Sequence, residues 1–582
     1  VRADIYEDLW EVEAETFQTL PPDAGHSAYP YVPLAASGSA QMVSLRTVVL
    51  ENQWTRITVC PDLGGAIVAW HDLRTGEAIL TAPKRLQPEA GGPRGTTVRT
   101  GIQWQTWPDE RRLMTGRVDF RIHADESEEG AVAVYLHELL AGVPAQWTAC
   151  LTLEPDSAAL RVEFRLQNLS LLPLRLDSGF SVAGAQWSDQ RVTWLAPGRG
   201  GLGAVPLSGT LYASGTELRR RGDAQPWLAP GAVEPWSCLL VPFSDSRAES
   251  AGGGEVCPVV SEAGALMVSA EGIFLQAATP LEGARLLLGT EDGQTHTASL
   301  AWNPGAPLFF AADQLPGRAV AARVDAADQS GLLAWPGVPA PSSPLPSGAL
   351  AALAEPAEGS EEAAWHAALA QHLPLPDVTN PLLRPLADLE TARRALAEGN
   401  DEAAATACQW CLARTHDQVT AWWLHAIAQR RLGRAEEDES LAHAMVLDPM
   451  DLRLRAESFL RQPVAESKEP LPFLRPLAAN ADAAVGVVGD YIALRSTMDA
   501  ARLVDELIRH RDLPMLRYLR AWSYLKFTRM EAEAMTDLRA AGALPLDPPL
   551  PWRPLEKQII RDLAERFPDD AALRGWRGLV LD

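Results

Sequence analysis

Residues 103–112 hold the densest set of side chains suited to a polar ligand: Gln103, Trp104, Gln105, Trp107, Asp109, Glu110, Arg111 and Arg112. Indole faces stack on the apolar face of a sugar ring, while amides and guanidinium groups fix its hydroxyls. Gln103, Trp104, Gln105, Trp107, Arg111 and Arg112 are therefore the expected ligand-binding positions. The competing reading is a strand whose aromatics enter a core and whose charges form a solvated turn. Neutral amides exchange no proton usefully near pH 7, so the stretch is equipped for binding and no catalytic residue is assigned.

Acid–base pairs are sought next. His71–Asp72, His123 with Asp125 and Glu126, and His137–Glu138 are histidine–carboxylate neighbours. Adjacent strand residues point to opposite faces, so none is a pair by adjacency alone; His137 is kept as a reserve catalyst. Cys408 and Cys411 have zinc or redox spacing, but they sit in a helical pattern without a second cysteine pair, and small buried residues explain them better. No phosphate loop, nucleotide fingerprint or nucleophile elbow is present. No metal or cofactor is expected.

These residues must be positioned by two different kinds of element. Up to about residue 335, short alternating segments are broken by turns: 44–52, 54–60, 66–71, 118–122, 131–136, 147–153, 160–168 and 174–182. Many strands without helical patterns between them predict a large antiparallel β-sandwich. Residues 336–347 contain five prolines and read as a stiff linker or strap. Beyond them the period becomes helical. The expected organisation is an N-terminal extension over 1–40, a sandwich over 41–335, a Pro-rich linker and leading helix over 336–384, and helical repeats over 385–582.

Composition bounds the function. The chain has 582 residues, with 51 Lys plus Arg against 75 Asp plus Glu, a net charge of −24. Such a chain repels phosphate backbones, so a nucleic-acid partner is not expected. No apolar run approaches the ~18 residues of a membrane span. The start, Val1 to Asp8, shows no secretory leader, and six cysteines are too few for a disulfide scaffold. A cytoplasmic protein is the expectation. Tryptophan is abundant, 19 against 8 Tyr and 12 Phe.

In the helical half, Ala421-Trp422-Trp423-Leu424, Arg431-Leu432-Gly433-Arg434 and Ala444-Met445-Val446-Leu447-Asp448-Pro449 follow one another. An opening Trp, a turn Gly and a closing Asp-Pro resemble the tetratricopeptide repeat. Further helical pairs are expected over 388–415, with Gly399-Asn400 at the turn, and over 480–512 and 515–541. Pro568-Asp569-Asp570 is expected to open a last helix.

In the β half, Val48-Val49-Leu50-Glu51-Asn52, Arg56-Ile57-Thr58-Val59, Pro61-Asp62-Leu63-Gly64-Gly65, Thr75-Gly76 and Gly101-Ile102 occur in order, followed by the strands around Trp147 and Asn168. This series resembles uncharacterised bacterial proteins that join a galactose-mutarotase-like β-sandwich to tetratricopeptide repeats. The resemblance implies a supersandwich whose concave face holds a sugar. It also exposes departures. Ala66 follows the Gly-Gly turn where the family usually has Arg. Gln103 stands at a carboxylate position of the family pattern, and the following histidine positions are occupied by acids or arginines. Ile273-Phe274-Leu275-Gln276 stands where Ile-Glu-Leu-Gln is usual, so Phe274 replaces a second acid. A degenerate member that keeps binding and loses proton transfer is the expectation.

The resulting reading is a saccharide-recognition protein with a helical-repeat platform for a protein or peptide. Two alternatives stay open. One is a carbohydrate-active enzyme, an epimerase or a glycoside-cleaving enzyme, using other acids; the other is a scaffold without a sugar.

Overall fold

The structure is a computed structural model. It describes residues 2–19, 34–87, 89–90, 96–98, 100–107, 116–124, 130–140, 143–169, 174–182, 193–196, 200–208, 211–214, 217–220, 227–228, 232–244, 259–269, 271–305, 307–327, 329, 331–335, 364, 367–368, 376, 384–434, 439–462, 474, 477–478, 480–545 and 550–580. Nearly all of the expected Pro-rich linker lies outside the described residues.

A large antiparallel β-sandwich is followed by an array of helices. The first layer is a ten-stranded sheet and the second a seven-stranded one. Alternation along each strand sends one set of side chains between them. Val48, Leu50, Ile57, Val59, Trp70, Trp104 and Phe180 enter from the first sheet, and Val134, Leu136, Trp147, Phe164 and Trp236 from the second. Phe164 lies between Trp147 and Trp236 in a near-parallel stack, with ring centroids 5.5 and 5.2 Å away. Much of the tryptophan excess is core.

Residues 4–19 and 34–40, expected as part of an N-terminal extension, belong to the sandwich instead. Strand β1, Asp4–Thr19, pairs along its length with β2, Leu34–Glu51. The even positions of β1 made this possible: Trp10, Val12 and Ala14 alternate with Glu11, Glu13 and Glu15. With Val43 and Leu45 they pack on Cys60, Leu63, Ala66, Val68, Leu86 and Val98, forming a second apolar cluster on the outer side of the ten-stranded sheet. The glycine turn after β3, Thr55–Cys60, is sterically required. Gly65 has φ +72°, and a Cβ there would lie 2.8 Å from Leu136 Cδ1. At Gly101, with φ +57°, a Cβ would lie 1.9 Å from the Ile67 carbonyl oxygen. That glycine lets the strand Ile102–Trp107 start beside β4, Ala66–Asp72.

Residues 259–335 build a further pair of four-stranded sheets with their own core of Leu266, Ile273, Leu275, Leu286, Leu288, Trp302 and Val324. A buried ion pair ties this unit to the main sandwich. Arg74 Nε donates to Asp72 at 2.7 Å, its Nη1 to the Ala277 carbonyl at 2.6 Å and its Nη2 to the Pro242 carbonyl at 2.9 Å. Gln276 Nε2 donates to Asp72 at 3.1 Å.

The helices match the sequence spacing. Arg384–Glu398 and Asp401–Arg414 flank Gly399 at φ +78° and Asn400, whose side chain caps Ala403. Val419–Arg431 and Ser440–Leu447 flank Gly433, at φ +74°. Leu452–Leu460, Ala481–Ala493, Thr497–His510, Pro514–Phe527, Glu531–Ala543, Pro554–Arg566 and Ala571–Val580 complete the array. One hydrophobic core runs through it from Leu389 to Trp576, as stacked helical hairpins require. No helix among the described residues is long and apolar enough to cross a membrane.

Candidate functional site

The strand Ile102–Trp107 splits the expected ligand set between its two faces. Trp104 is 0% exposed, and its Nε1 donates to the Gly65 carbonyl at 2.9 Å. Its ring meets Phe180 and Phe164, with centroids 6.0 and 6.3 Å away. This corrects the expectation that Trp104 stacks on a sugar: alternation sends it inward with Ile102, and its only polar atom is satisfied there.

Gln103 and Gln105 take the outer face. Gln103 is 4% exposed and donates to the Val98 carbonyl at 3.2 Å, so the apolar cluster beneath the β1–β2 ribbon closes over it. Gln105 is half-buried, and its Nε2 donates to Ser181 Oγ at 2.7 Å. Trp107 occupies the same face by register. Its side chain, Arg111 and Arg112 lie outside the described residues.

Register adds residues that the linear sequence did not assemble. The strand Asp177–Val182 pairs with Ile102–Trp107 so that Ser181 stands opposite Gln103, Gly179 opposite Gln105 and Asp177 opposite Trp107. The strand Glu217–Arg220 follows, with Glu217 opposite Ser181 and Arg219 opposite Gly179. Leu211–Ser214 closes the edge, setting Tyr212 opposite Arg219. Gln103, Gln105, Asp177 and Ser181 thus share one sheet face, with Gly179 as a floor position lacking a side chain, and the strands 217–220 and 211–214 continue the sheet beside them. Alternation was the only available signal for Asp177 and Ser181; their neighbours came from non-local pairing.

The arrangement limits the chemistry. Asp177 and Glu217 hold positions four residues apart along paired strands, roughly 14 Å at ~3.4 Å per residue. Paired carboxylates that cleave glycosides stand about 5–9.5 Å apart. The other acids near the expected pairs have structural partners. Asp72 holds Arg74, and Glu138 accepts from Trp147 Nε1 at 2.8 Å. His71 and Asp72 point to opposite sides of their strand, and His123 is exposed, while Asp125 and Glu126 lie outside the described residues. Gln276, beside Phe274, serves the Arg74 latch rather than the outer face. His137 lies on the other sheet, 3.2 Å from Thr148 Oγ1. Burial pushes the Cys408 and Cys411 thiols upward, Cys411 Sγ lying 3.6 Å from Thr415 Oγ1.

The fold and site define a class: a two-sheet β-sandwich with a polar outer strip, continued by helical hairpins. A domain of unknown function, DUF5107, matches residues 24–177. Among solved structures, the chain is similar to a TPR-domain containing protein from Parabacteroides distasonis, with 12% identity over 97% of this chain and 96% of that one, at a TM-score of 0.29. It is similar to a galactose mutarotase-like protein from Clostridium acetobutylicum, with 10% identity over 34% of this chain and 96% of that one, at a TM-score of 0.22. A protein in glycosyl hydrolase family 38 from Enterococcus faecalis matches at 11% identity over 56% of this chain and 52% of that one, at a TM-score of 0.22.

Proposed function

We propose that the chain recognises a saccharide on the outer face of the ten-stranded sheet without turning it over, and that its helical hairpins offer a docking surface for a protein or peptide. The observation that supports the reading is the strip in register: the Gln103 and Gln105 amides, the Ser181 hydroxyl and the Asp177 carboxylate around the Gly179 floor. Amides and hydroxyls both donate and accept, as sugar hydroxyls require.

Isothermal titration against mono- and oligosaccharides tests this, with Gln105→Ala and Asp177→Ala as site variants. The expected result is saturable heat, weakened at least tenfold in both variants, with the sugar recovered unchanged and its anomers interconverting at the buffer rate. No heat across the panel overturns the saccharide reading. A scaffold is the second reading, and one observation favours it: the cover over Gln103 already fills part of the face with the protein's own ribbon.

A further inference from the structure

Two histidines meet on the surface of the helical half. His416 sits in the turn between the helices Asp401–Arg414 and Val419–Arg431, and His443 in the helix Ser440–Leu447. Packing of the second helical pair puts them there. Val419–Arg431 buries Ala421 and Leu424, and Ser440–Leu447 buries Leu441 and Ala444. Trp422 follows one of these alanines and His443 precedes the other, so both stand at the margin of the contact, Trp422 half-buried and His443 exposed. Their spacing in sequence matches no zinc or haem motif; the pair is assembled by helix packing alone.

Trp422 braces both imidazoles. Its Nε1 donates to the His416 carbonyl at 2.8 Å, which fixes the backbone of the turn. Its ring centroid lies 5.3 Å from that of His416 and 4.9 Å from that of His443. The two imidazole centroids are 5.5 Å apart, with their planes at 73°. Among the described residues no hydrogen bond or ion pair engages either imidazole. Both side chains are exposed, so their nitrogens are open to a ligand from solvent.

We propose that His416 and His443 form a surface site for one divalent transition ion, Cu²⁺ most tightly, and that the ion ties the turn 415–418 to the helix Ser440–Leu447. The spacing suits a shared ion. A metal about 2.0–2.1 Å from an imidazole nitrogen lies roughly 3.2 Å from the ring centroid, so two rings on one metal at square or tetrahedral angles have centroids roughly 4.5–5.2 Å apart. The 5.5 Å seen here is within a few tenths of an ångström of that range. Rotation about χ2, a broad torsion in an exposed histidine, aims the nitrogens and closes the difference.

The donor set decides the ion. Glu439 lies one turn ahead of His443 and Asp417 follows His416, both exposed, yet no group of three imidazole, thiol or carboxylate ligands is assembled among the described residues. The thiols of Cys408 and Cys411 are buried in the helical core and supply none. Two nitrogens with water in the remaining positions form an open site. Imidazole suits Cu²⁺, Zn²⁺ and Ni²⁺, and affinity for such a site peaks at Cu²⁺. Mg²⁺ and Ca²⁺ take oxygen ligands and are excluded by the same donors.

Isothermal titration of the full chain with Cu²⁺, Zn²⁺ and Mg²⁺ in a non-coordinating buffer at pH 7.5 tests the site, with His416→Gln and His443→Gln as variants. Both side chains are exposed, so circular dichroism of the variants should match the wild type. The expected result is a Cu²⁺ equivalent whose affinity falls about tenfold or more in each variant, weaker Zn²⁺ binding with the same dependence, and no Mg²⁺ heat. Paramagnetic resonance of the Cu²⁺ complex should show two nitrogen ligands in the wild type and one fewer in either variant. Hydrogen exchange around 415–418 should slow on adding Zn²⁺ to the wild type and stay unchanged in the variants. Cu²⁺ affinity that neither substitution alters places the ion elsewhere and overturns the site. A wild type without Cu²⁺ heat overturns it too, leaving only an edge-to-face contact between the rings.

Discussion

Replacing Trp104 by alanine separates the core from the binding strip, because the same strand presents Trp104 inward and Gln105 outward. The indole is fully buried between Phe180 and Phe164, and it satisfies the Gly65 carbonyl at the glycine turn. Large-to-small replacement of a buried aromatic costs about 3–5 kcal/mol, and stranding a buried carbonyl adds about 1–3 kcal/mol. A loss near 5 kcal/mol lowers the melting temperature of a unit this large by about 10–20 °C, at about 2–4 °C per kcal/mol. Trp104→Phe keeps most of the ring and loses the hydrogen bond, so about 1–3 kcal/mol is expected. Gln105→Ala, on the outer face, should stay within about 0.5 kcal/mol if its hydrogen bond to Ser181 is exchanged for water. The assay is thermal and urea unfolding followed by far-UV circular dichroism, with the β and helical transitions fitted separately because two-state behaviour is not expected of such a chain. Saccharide titration is run on the same samples below the transition. Trp104→Ala melting within 2 °C of wild type while saccharide heat disappears would refute the reasoning, since it would make the indole a ligand contact.

Arg74→Ala leaves Asp72 charged in a buried place and removes the ties to Ala277 and Pro242; about 3–5 kcal/mol of destabilisation is expected, and urea unfolding checks it. An unchanged midpoint would show that the latch contributes nothing. Thiols offer another test. Burial raises Cys60 to about 12 and moves Cys238 and Cys408 upward too, so these three should resist a thiol reagent at pH 8 until denaturant is added. Mass spectrometry of labelled peptides reads this directly, and rapid native labelling of Cys408 would contradict its place in the helical core.

Several elements were legible because their cause is local. Gly399-Asn400 announced a helix turn: glycine tolerates the left-handed backbone and the asparagine side chain caps the next helix. Gly64-Gly65 announced a sharp turn for the first of these reasons. The strand at 102–107 stood in the sequence only as the competing reading of residues 103–112, and alternation does not say which face is the core. That choice fell to the aromatic neighbours Phe164 and Phe180, which lie far along the chain. The ribbon strand at 4–19 escaped detection because four of its positions from 7 to 15 are Glu, a composition that reads as solvated unless the cover over Val68 and Ala66 is known.

The candidate site divides in the same way. Its amides were visible, and adjacency alone gave the histidine–carboxylate neighbours no claim to be pairs, because adjacent strand residues diverge. Asp177 and Ser181 joined Gln103 and Gln105 on one face only through pairing of strands about seventy-five residues apart in sequence. His137 was visible as a titratable residue, but its burial was not, and the nearby contact of Gln146 with Asp448 joins parts of the chain 302 residues apart.

By itself, then, the sequence determined the change from a two-residue to a helical period, the turns and caps, the acidic balance and the kinds of side chain available for binding. These follow from steric and hydrogen-bonding preferences that act within a few residues. Tertiary structure alone decided that Trp104 is core, that Asp177 joins Gln105, and that Gln146 of the sheet meets Asp448 of the helical half. Each depends on which distant surfaces exclude water from one another, and no local preference encodes that.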